Sequence, residues 1–316
     1  MSTTSLVEVV RVAIVGAGAM GSVYAGLLGD AGNDVWAIDP WTEHVAAVRE
    51  HGLRVEGASG NRVVWVGATS DPGEVGEVDL VVIATKAMHV RGAAENARPL
   101  LGPETVVLTM QNGLGSPEVA AEVLGDERIV VGIAGGFGAS VVEPGHVHHH
   151  GMELVRLGEP HGPVTARVEQ IADTWRAAGF AVQAEDDVER LVWEKLICNV
   201  CFSGTCTVLE RTIGEVLDDP QAWSIASECA REAYEVAVAS DITLGFDDPV
   251  AHAAAFGQRI PDARPSMLLD RLAGRPSEID AINGAIPTRA AALGLAAPVN
   301  AAIAALVKAG EPRQET

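Results

Sequence analysis

Two hydropathy patterns alternate along the first 187 residues. Short apolar runs at Val9–Val15, Asp34–Ile38, Leu80–Ala84 and Thr105–Met110 predict strands, and runs of this kind suit parallel strands covered on both faces. Between them Ala19–Ala31 and Glu43–His51 read as helices, closing at Gly32 and Gly52, the residue type that ends helices most readily. Leu53–Glu56 and Arg62–Val66 flank Gly57–Asn61 and predict a hairpin. From Ile129 to Leu157 the chain turns β-rich and glycine-rich, an expected antiparallel extension, before a helix at Val164–Ala178 and a last strand at Ala181–Ala184. Strands alternating with helices imply right-handed crossovers and a doubly wound sheet.

Beyond Val188 the strand signals stop. Glu189–Leu209, Pro220–Ser240, Pro249–Arg259, Met267–Ala273, Ile279–Leu293 and Val299–Ala309 read as helices, each bounded by Pro, Gly or Asp. The pattern predicts an α/β dinucleotide-binding domain over 1–187 and an all-helical domain over 188–316, with the boundary inside one continuous helix and no internal repeat. A length of 316 residues has room for both.

Composition narrows the partners. The net charge of −21 argues against nucleic acid, whose phosphates need a basic face, and against anionic lipid. No run of about 18 apolar residues suggests a membrane span. The first ten residues lack a basic-then-apolar signal pattern, so the cytoplasm is the expected compartment. Cys198, Cys201, Cys206 and Cys229 are too few for a disulfide scaffold; inside an apolar helix they read as small hydrophobes. His146, His148, His149 and His150 form a tract that could bind metal, but no acidic or Cys partner set stands out in sequence, and no metal is expected. The cations are lopsided: 19 are Arg and only Lys86, Lys195 and Lys308 are Lys.

Gly16-Ala17-Gly18-Ala19-Met20-Gly21 fits G-x-G-x-x-G between a strand and a helix. The first glycine permits a tight turn, the second admits a pyrophosphate, and the third lets helix and strand pack closely. Asp39 lies 23 positions beyond Gly16, near the spacing at which an acid bonds the adenosine ribose and repels a 2′-phosphate. It favours NAD over NADP; alternatively it caps the next helix with Pro40 at the first position. Lys86 and Asn112 follow strands, where ligands of open α/β sheets bind, although a Lys there can be a solvated surface group and Asn-Gly a plain turn. Lys195 sits in the apolar stretch Leu191–Phe202 with Asn199 four positions on and Ser203 on the same face. Burial lowers a Lys pKa and makes a proton donor; Arg does not deprotonate. Ser266, Ser277 and Glu278 also fit bland helix-start roles.

GAGAMG at 16–21, ATKAMHV at 84–90, QNG at 111–113, WEKLICN at 193–199 and SMLLD with SEIDAING across 266–284 occur in the order of the ketopantoate reductase (2-dehydropantoate 2-reductase) family. The chain resembles that family over essentially its whole length. The resemblance implies a Rossmann-type doubly wound sheet, an all-helical domain similar to the C-terminal domain of 6-phosphogluconate dehydrogenase, and a homodimer. It implies hydride transfer from NAD(P)H to a small anionic 2-keto acid, 2-dehydropantoate giving pantoate. On that resemblance Lys195 is the general acid and Glu278 the supporting acid. Lys86 and Asn112 lie near the nicotinamide ribose, with Gly16, Ala17, Gly18, Ala19, Met20, Gly21 and Asp39 holding the rest of the cofactor. Asn112, Asn199, Ser203 and Ser266 face the substrate, Ser266 at its carboxylate. The chain departs from the family at two substrate-side positions: Ser203 and Ala263 stand where many members have Asn. Typical members also prefer NADPH, against Asp39. A paralogue reducing another branched or bulky 2-keto acid, and a non-catalytic dinucleotide sensor, remain alternatives.

Overall fold

A computed structural model describes residues 9–136, 138–151 and 153–311. The chain divides into two compact units, one holding residues up to Gln111 together with Ser116–Val188, the other Asn112–Gly115 together with residues from Glu189 on.

The first unit begins β1 (Arg11–Val15), α1 (Ala19–Asp30), β2 (Asp34–Ile38), α2 (Thr42–His51), β3 (Leu53–Gly57), β4 (Arg62–Val64) and β5 (Gly67–Thr69). It continues β6 (Val78–Ile83), α3 (Val90–Ala97), β7 (Leu101–Thr109), α4 (Ser116–Leu124), β8 (Ile129–Ala134), β9 (Gly138–Glu143), β10 (His146–Gly151), β11 (Leu154–Gly158), α5 (Ala166–Ala177) and β12 (Ala181–Ala184). Eight strands form one sheet in the order β12-β11-β8-β7-β6-β1-β2-β5. All neighbours are parallel except β11 against β8. The order reverses at β1, between β2 and β6, which is where an open α/β sheet forms a crevice at its strand ends.

The strands are covered on both faces, as their unbroken apolar runs require. Val12 and Ile14 of β1 and Leu80 and Val82 of β6 pack with α1 and α5. The alternate residues Ala13, Val15, Val81 and Ile83 pack with α3 and α4.

The predicted hairpin exists, with β3 antiparallel to β4. It belongs to a second sheet of order β4-β3-β10-β9, in which β10 lies parallel to β3. The antiparallel extension expected over Ile129–Leu157 is therefore split. β8 continues the main sheet in parallel, β9 and β10 leave for the second sheet, and only β11 returns antiparallel. The pairing of β10 with β3 joins segments about 90 residues apart, and nothing local encodes it.

The second unit contains α6 (Val188–Leu209), α7 (Ile213–Asp218), α8 (Pro220–Ala239), α9 (Pro249–Arg259), α10 (Ser266–Leu272), α11 (Ala285–Ala292) and α12 (Pro298–Ala309). Its core gathers Leu196, Ile197 and Val200 of α6 with Ala226, Ala230 and Ala233 of α8 and Ile303 of α12. The predicted helix Ile279–Leu293 starts late, at Ala285. Residues 278–284 form turns instead: Ala281 N and Ile282 N donate to Glu278 O, and Gly284 N to Ile279 O. Asp219 and Asp248 cap α8 and α9, each ahead of a proline in the first turn. Helix α7 carries a capping box between Thr212 and Glu215, a T-x-x-E signal that sequence reading passed over.

All four cysteines are buried and free. Burial pushes the Cys198 and Cys206 thiols up to about 12 and raises those of Cys201 and Cys229 as well, so they pack as neutral thiols.

Candidate active site

The glycine loop is built by close approach. Gly16 N and Ala17 N both donate to Ile38 O, tying the end of β1 to the end of β2. Gly16 adopts φ +95°, and a Cβ there would stand 2.6 Å from Thr85 Cγ2. A Cβ on Gly21 would meet Gly16 O at 2.0 Å. At Gly18, the N-cap of α1, a Cβ would meet nothing within 4 Å. No side chain caps α1 and its first turn holds no acid, so its amide groups and positive end are presented for an anion.

Beneath the loop, Ser22 Oγ donates to Ala17 O at 2.8 Å, and His44 Nε2 lies 3.2 Å from that hydroxyl. Gly145 N donates to His44 Nδ1, which puts the ring proton on Nε2. Burial lowers the His44 pKa, so the neutral ring holds the loop from below.

Asp39 follows β2. Its Oδ1 accepts from Trp41 N, while α2 begins at Thr42 with Trp41 as N-cap and no side-chain cap bond. Asp39 therefore closes a tight turn before the helix, and Pro40 is not a helical residue. The next cation, Arg49, is committed to Ala68 O and Glu74. Lys86 is half-buried after β6, at the head of the short 3₁₀ turn Ala87–His89. Gln111, which sequence reading treated only as part of a motif, joins the β6 and β7 ends by donating to Ile83 O and Thr85 O. Thr85 Oγ1 and Gln111 Oε1 are buried with no hydrogen-bond partner among the described residues. An uncapped helix start, a loop with room at Gly18 and orphaned polar atoms at the ends of β6 and β7 fit a dinucleotide.

In the helical unit, Asn112 forms a bridge. Lys195 Nζ donates to Asn112 Oδ1 at 2.8 Å, and Asn112 Nδ2 lies 3.4 Å from Glu278 Oε2. The amide thus presents its oxygen to the cation and its nitrogen to the anion. The Asn112 side chain is thus engaged with Lys195 and Glu278. Burial depresses the Lys195 pKa to about 8, against the opposing pull of the Glu278 charge. Gly113, at φ +86°, lets Leu114 N donate to Ala281 O.

Asn199 and Ser203 share α6 with Lys195, half-buried and buried respectively. Ser266 is the exposed first residue of α10 and Pro265 is that helix's N-cap, so Ser266 is not a helix cap. Neither is Ser277, whose Oγ donates to Glu311. Glu278 stands outside any helix first turn.

The histidine tract does meet an acid. Glu56 of β3 lies 3.1 Å from His146 Nε2 and 3.5 Å from His148 Nδ1, a pairing that depends on the second sheet. Among the described residues no group of three or more His, Cys, Asp or Glu is placed to hold a metal ion. No described helix is long and apolar enough to cross a membrane.

A doubly wound sheet with an uncapped glycine-loop helix, joined in one chain to a helical unit that carries a half-buried, low-pKa lysine, defines a nicotinamide-dinucleotide oxidoreductase. The family model described as ketopantoate reductase PanE/ApbA matches residues 12–162, and its C-terminal counterpart matches 187–311. A 2-dehydropantoate 2-reductase of Pyrococcus horikoshii is 32% identical, over 95% of this chain and 97% of its own. One from Halobacterium salinarum is 30% identical, over 94% and 98%. The solved 2-dehydropantoate 2-reductase from Geobacter metallireducens superposes with a TM-score of 0.88 at 34% identity, covering 95% of this chain and 99% of that one. A D-mandelate dehydrogenase solved with NADH and anilino(oxo)acetate gives 0.87 at 29%, covering 95% and 97%. The chain belongs to the ketopantoate reductase family.

Proposed function

We propose that this protein reduces 2-dehydropantoate to pantoate with NADH, and that Lys195 donates the proton. The observation that carries the reading is the Lys195–Asn112–Glu278 cluster, in which a half-buried ammonium with a pKa of about 8 is both charged and able to give up a proton near neutrality. When bound, the reduced dinucleotide supplies the hydride. Gly16–Gly21 receive its pyrophosphate on backbone amides, Asp39 its adenosine ribose, and Lys86 lies toward its nicotinamide ribose.

The keto oxygen gains negative charge as the carbon is reduced. Lys195 stabilises that charge and protonates it, and solvent returns the proton to the amine. Asn112 fixes the direction of the ammonium, and Glu278 keeps it charged before reaction. Asn199, Ser203 and Ser266 line the substrate side, Ser266 toward the carboxylate. In a chain of net charge −21, an anionic substrate needs local cations such as these lysines.

Asp39 favours NAD(H) because its carboxylate would oppose a 2′-phosphate and Arg49 is committed elsewhere. In this reading residues 1–187 serve the cofactor and 188–316 the substrate and self-association, and the protein works as a cytoplasmic homodimer. A second reading, reduction of another branched or bulky 2-keto acid, is favoured by Ser203 and Ala263 at substrate-side positions and by the likeness to D-mandelate dehydrogenase.

Steady-state turnover of 2-dehydropantoate, a branched aliphatic 2-keto acid and an aromatic one, each with NADH and NADPH, tests both readings. Fastest turnover per KM with 2-dehydropantoate and NADH is expected. A preference for another acid selects the second reading. Dinucleotide binding with no turnover, together with indifference to Lys195→Ala, would return the protein to a sensor.

A further inference from the structure

The SEIDAING stretch contributes more than Glu278. Its asparagine, Asn283, is fully buried, and its side-chain Nδ2 donates to Val200 O at 2.8 Å and to Asn300 Oδ1 at 2.9 Å. Val200 lies on α6 five residues after Lys195, and Asn283 five residues after Glu278. The chain of bonds runs on: Asn300 Nδ2 donates to Cys229 O and to Glu232 Oε2, and the Glu232 carboxylate also accepts from Val299 N and Asn300 N. One buried network thus ties the 278–284 turn to α6, α8 and the start of α12.

We infer that Asn283 is a positioning residue for the reaction, setting where the turn that carries Glu278 stands against the helix that carries Lys195. The inference rests on the reading of Lys195 as proton donor and deepens it.

Three further observations support the role. The turn is knit by its own bonds, Ala281 N and Ile282 N donating to Glu278 O and Ile282 N and Gly284 N to Ile279 O, so Glu278 moves with Asn283. It also holds Asn112, because Leu114 N donates to Ala281 O, and a Cβ on Gly113 would stand 2.1 Å from that oxygen. Finally, α6 is cut away to admit Asn283: a Cβ on Gly204 would lie 2.8 Å from Asn283 Oδ1 and 2.3 Å from Ile303 Cγ2. A glycine inside a helix is unfavourable by itself, and here it makes the room the amide needs. Asn112, which accepts from Lys195 Nζ, and Glu278, whose charge acts on it, are therefore both tied to the turn that holds Asn283. The Asn112–Glu278 contact is already 3.4 Å, so a small displacement breaks it, and a misplacement of about 1 Å can cost about a hundredfold in rate.

The test compares Asn283→Ala with wild type in the full-length enzyme, with active sites counted by dinucleotide binding. We expect kcat to fall at least about tenfold per folded site, with the dinucleotide Kd unchanged. The alkaline limb of kcat should move to lower pH, because Lys195 loses the support of the Glu278 charge. A purely structural role would lower the yield of folded protein and leave kcat per site and the limb where they were; that outcome overturns the inference. If Asn283→Ala does not fold, Glu232→Gln decides with the same readouts, since it changes one oxygen at the far end of the network. A kcat at least about threefold lower with a shifted limb supports the inference, and a wild-type kcat with an unmoved limb overturns it. Lys195→Met is measured alongside. If it stays active, the proton-donor reading fails; if it is inactive while the Asn283 and Glu232 variants are normal, only the positioning role fails.

Discussion

The depressed Lys195 pKa has a consequence that can be read from both directions of the reaction. An unperturbed lysine stays charged to about pH 10.4. In this protein burial brings the value to about 8, with the Glu278 charge opposing the shift. Reduction needs the ammonium; oxidation of the hydroxy acid needs the free amine. With a pKa of about 8, roughly nine tenths of the sites are protonated at pH 7 and roughly one tenth at pH 9. The reductive kcat should therefore fall about tenfold between pH 7 and pH 9 if proton donation limits the rate, while the oxidative kcat rises by a similar factor. Stopped-flow single-turnover measurement at saturating cofactor isolates that step from product release, and NADH absorbance follows both directions. Lys195→Arg is the control: it keeps a cation beside Asn112 but cannot deprotonate, so about a hundredfold or greater loss is expected with no limb near 8. A reductive rate flat from pH 7 to pH 9 in single turnover, or near-wild-type turnover in Lys195→Arg, would refute the assignment of the proton donor.

Glu278→Gln removes the charge that holds the Lys195 pKa up, so the reductive limb should move to lower pH with little change in dinucleotide Kd; a pH–rate profile identical to wild type would exclude this role. Asp39→Arg exchanges a repulsive for an attractive group at the ribose end, and the NADPH:NADH ratio of kcat/KM should rise about tenfold or more, equivalent to about 1.4 kcal/mol; an unchanged ratio would mean Asp39 does not read the ribose. Gly21→Ala drives a methyl to 2.0 Å from Gly16 O, so the loop must shift. Overpacking of this kind costs about 1–3 kcal/mol, and both Tm and NADH affinity should drop, measured by calorimetry and fluorescence titration; wild-type values for both would contradict the close-packed loop.

Much of the first unit was legible locally. Apolar runs marked β1, β6 and β7 because parallel strands covered on both faces are mostly apolar, and Gly32 and Gly52 marked helix ends. Short elements were not legible. The helices α3, α4 and α7 span only 8, 9 and 6 residues, too few turns to show a period. Ser266 and Ser277 are not helix caps because capping depends on where the following helix starts: α10 already includes Ser266, and α11 starts only at Ala285.

The sequence by itself determined which chemistry was available: a glycine loop after a strand, an acid at the ribose spacing, and a lysine where a chain rich in arginine would ordinarily use arginine. Local patterns suffice for these because each rests on one short segment. Only the tertiary structure decided that Asn112, Lys195 and Glu278 form one cluster, that Asn112 bridges the other two, and that burial carries Lys195 to about 8. These residues are 83 and 166 positions apart from Asn112, and desolvation is a property of everything packed around a group. Asn283 likewise reads as one more residue of the predicted helix Ile279–Leu293 until the structure shows a turn there and α6, with its gap at Gly204, closes over it.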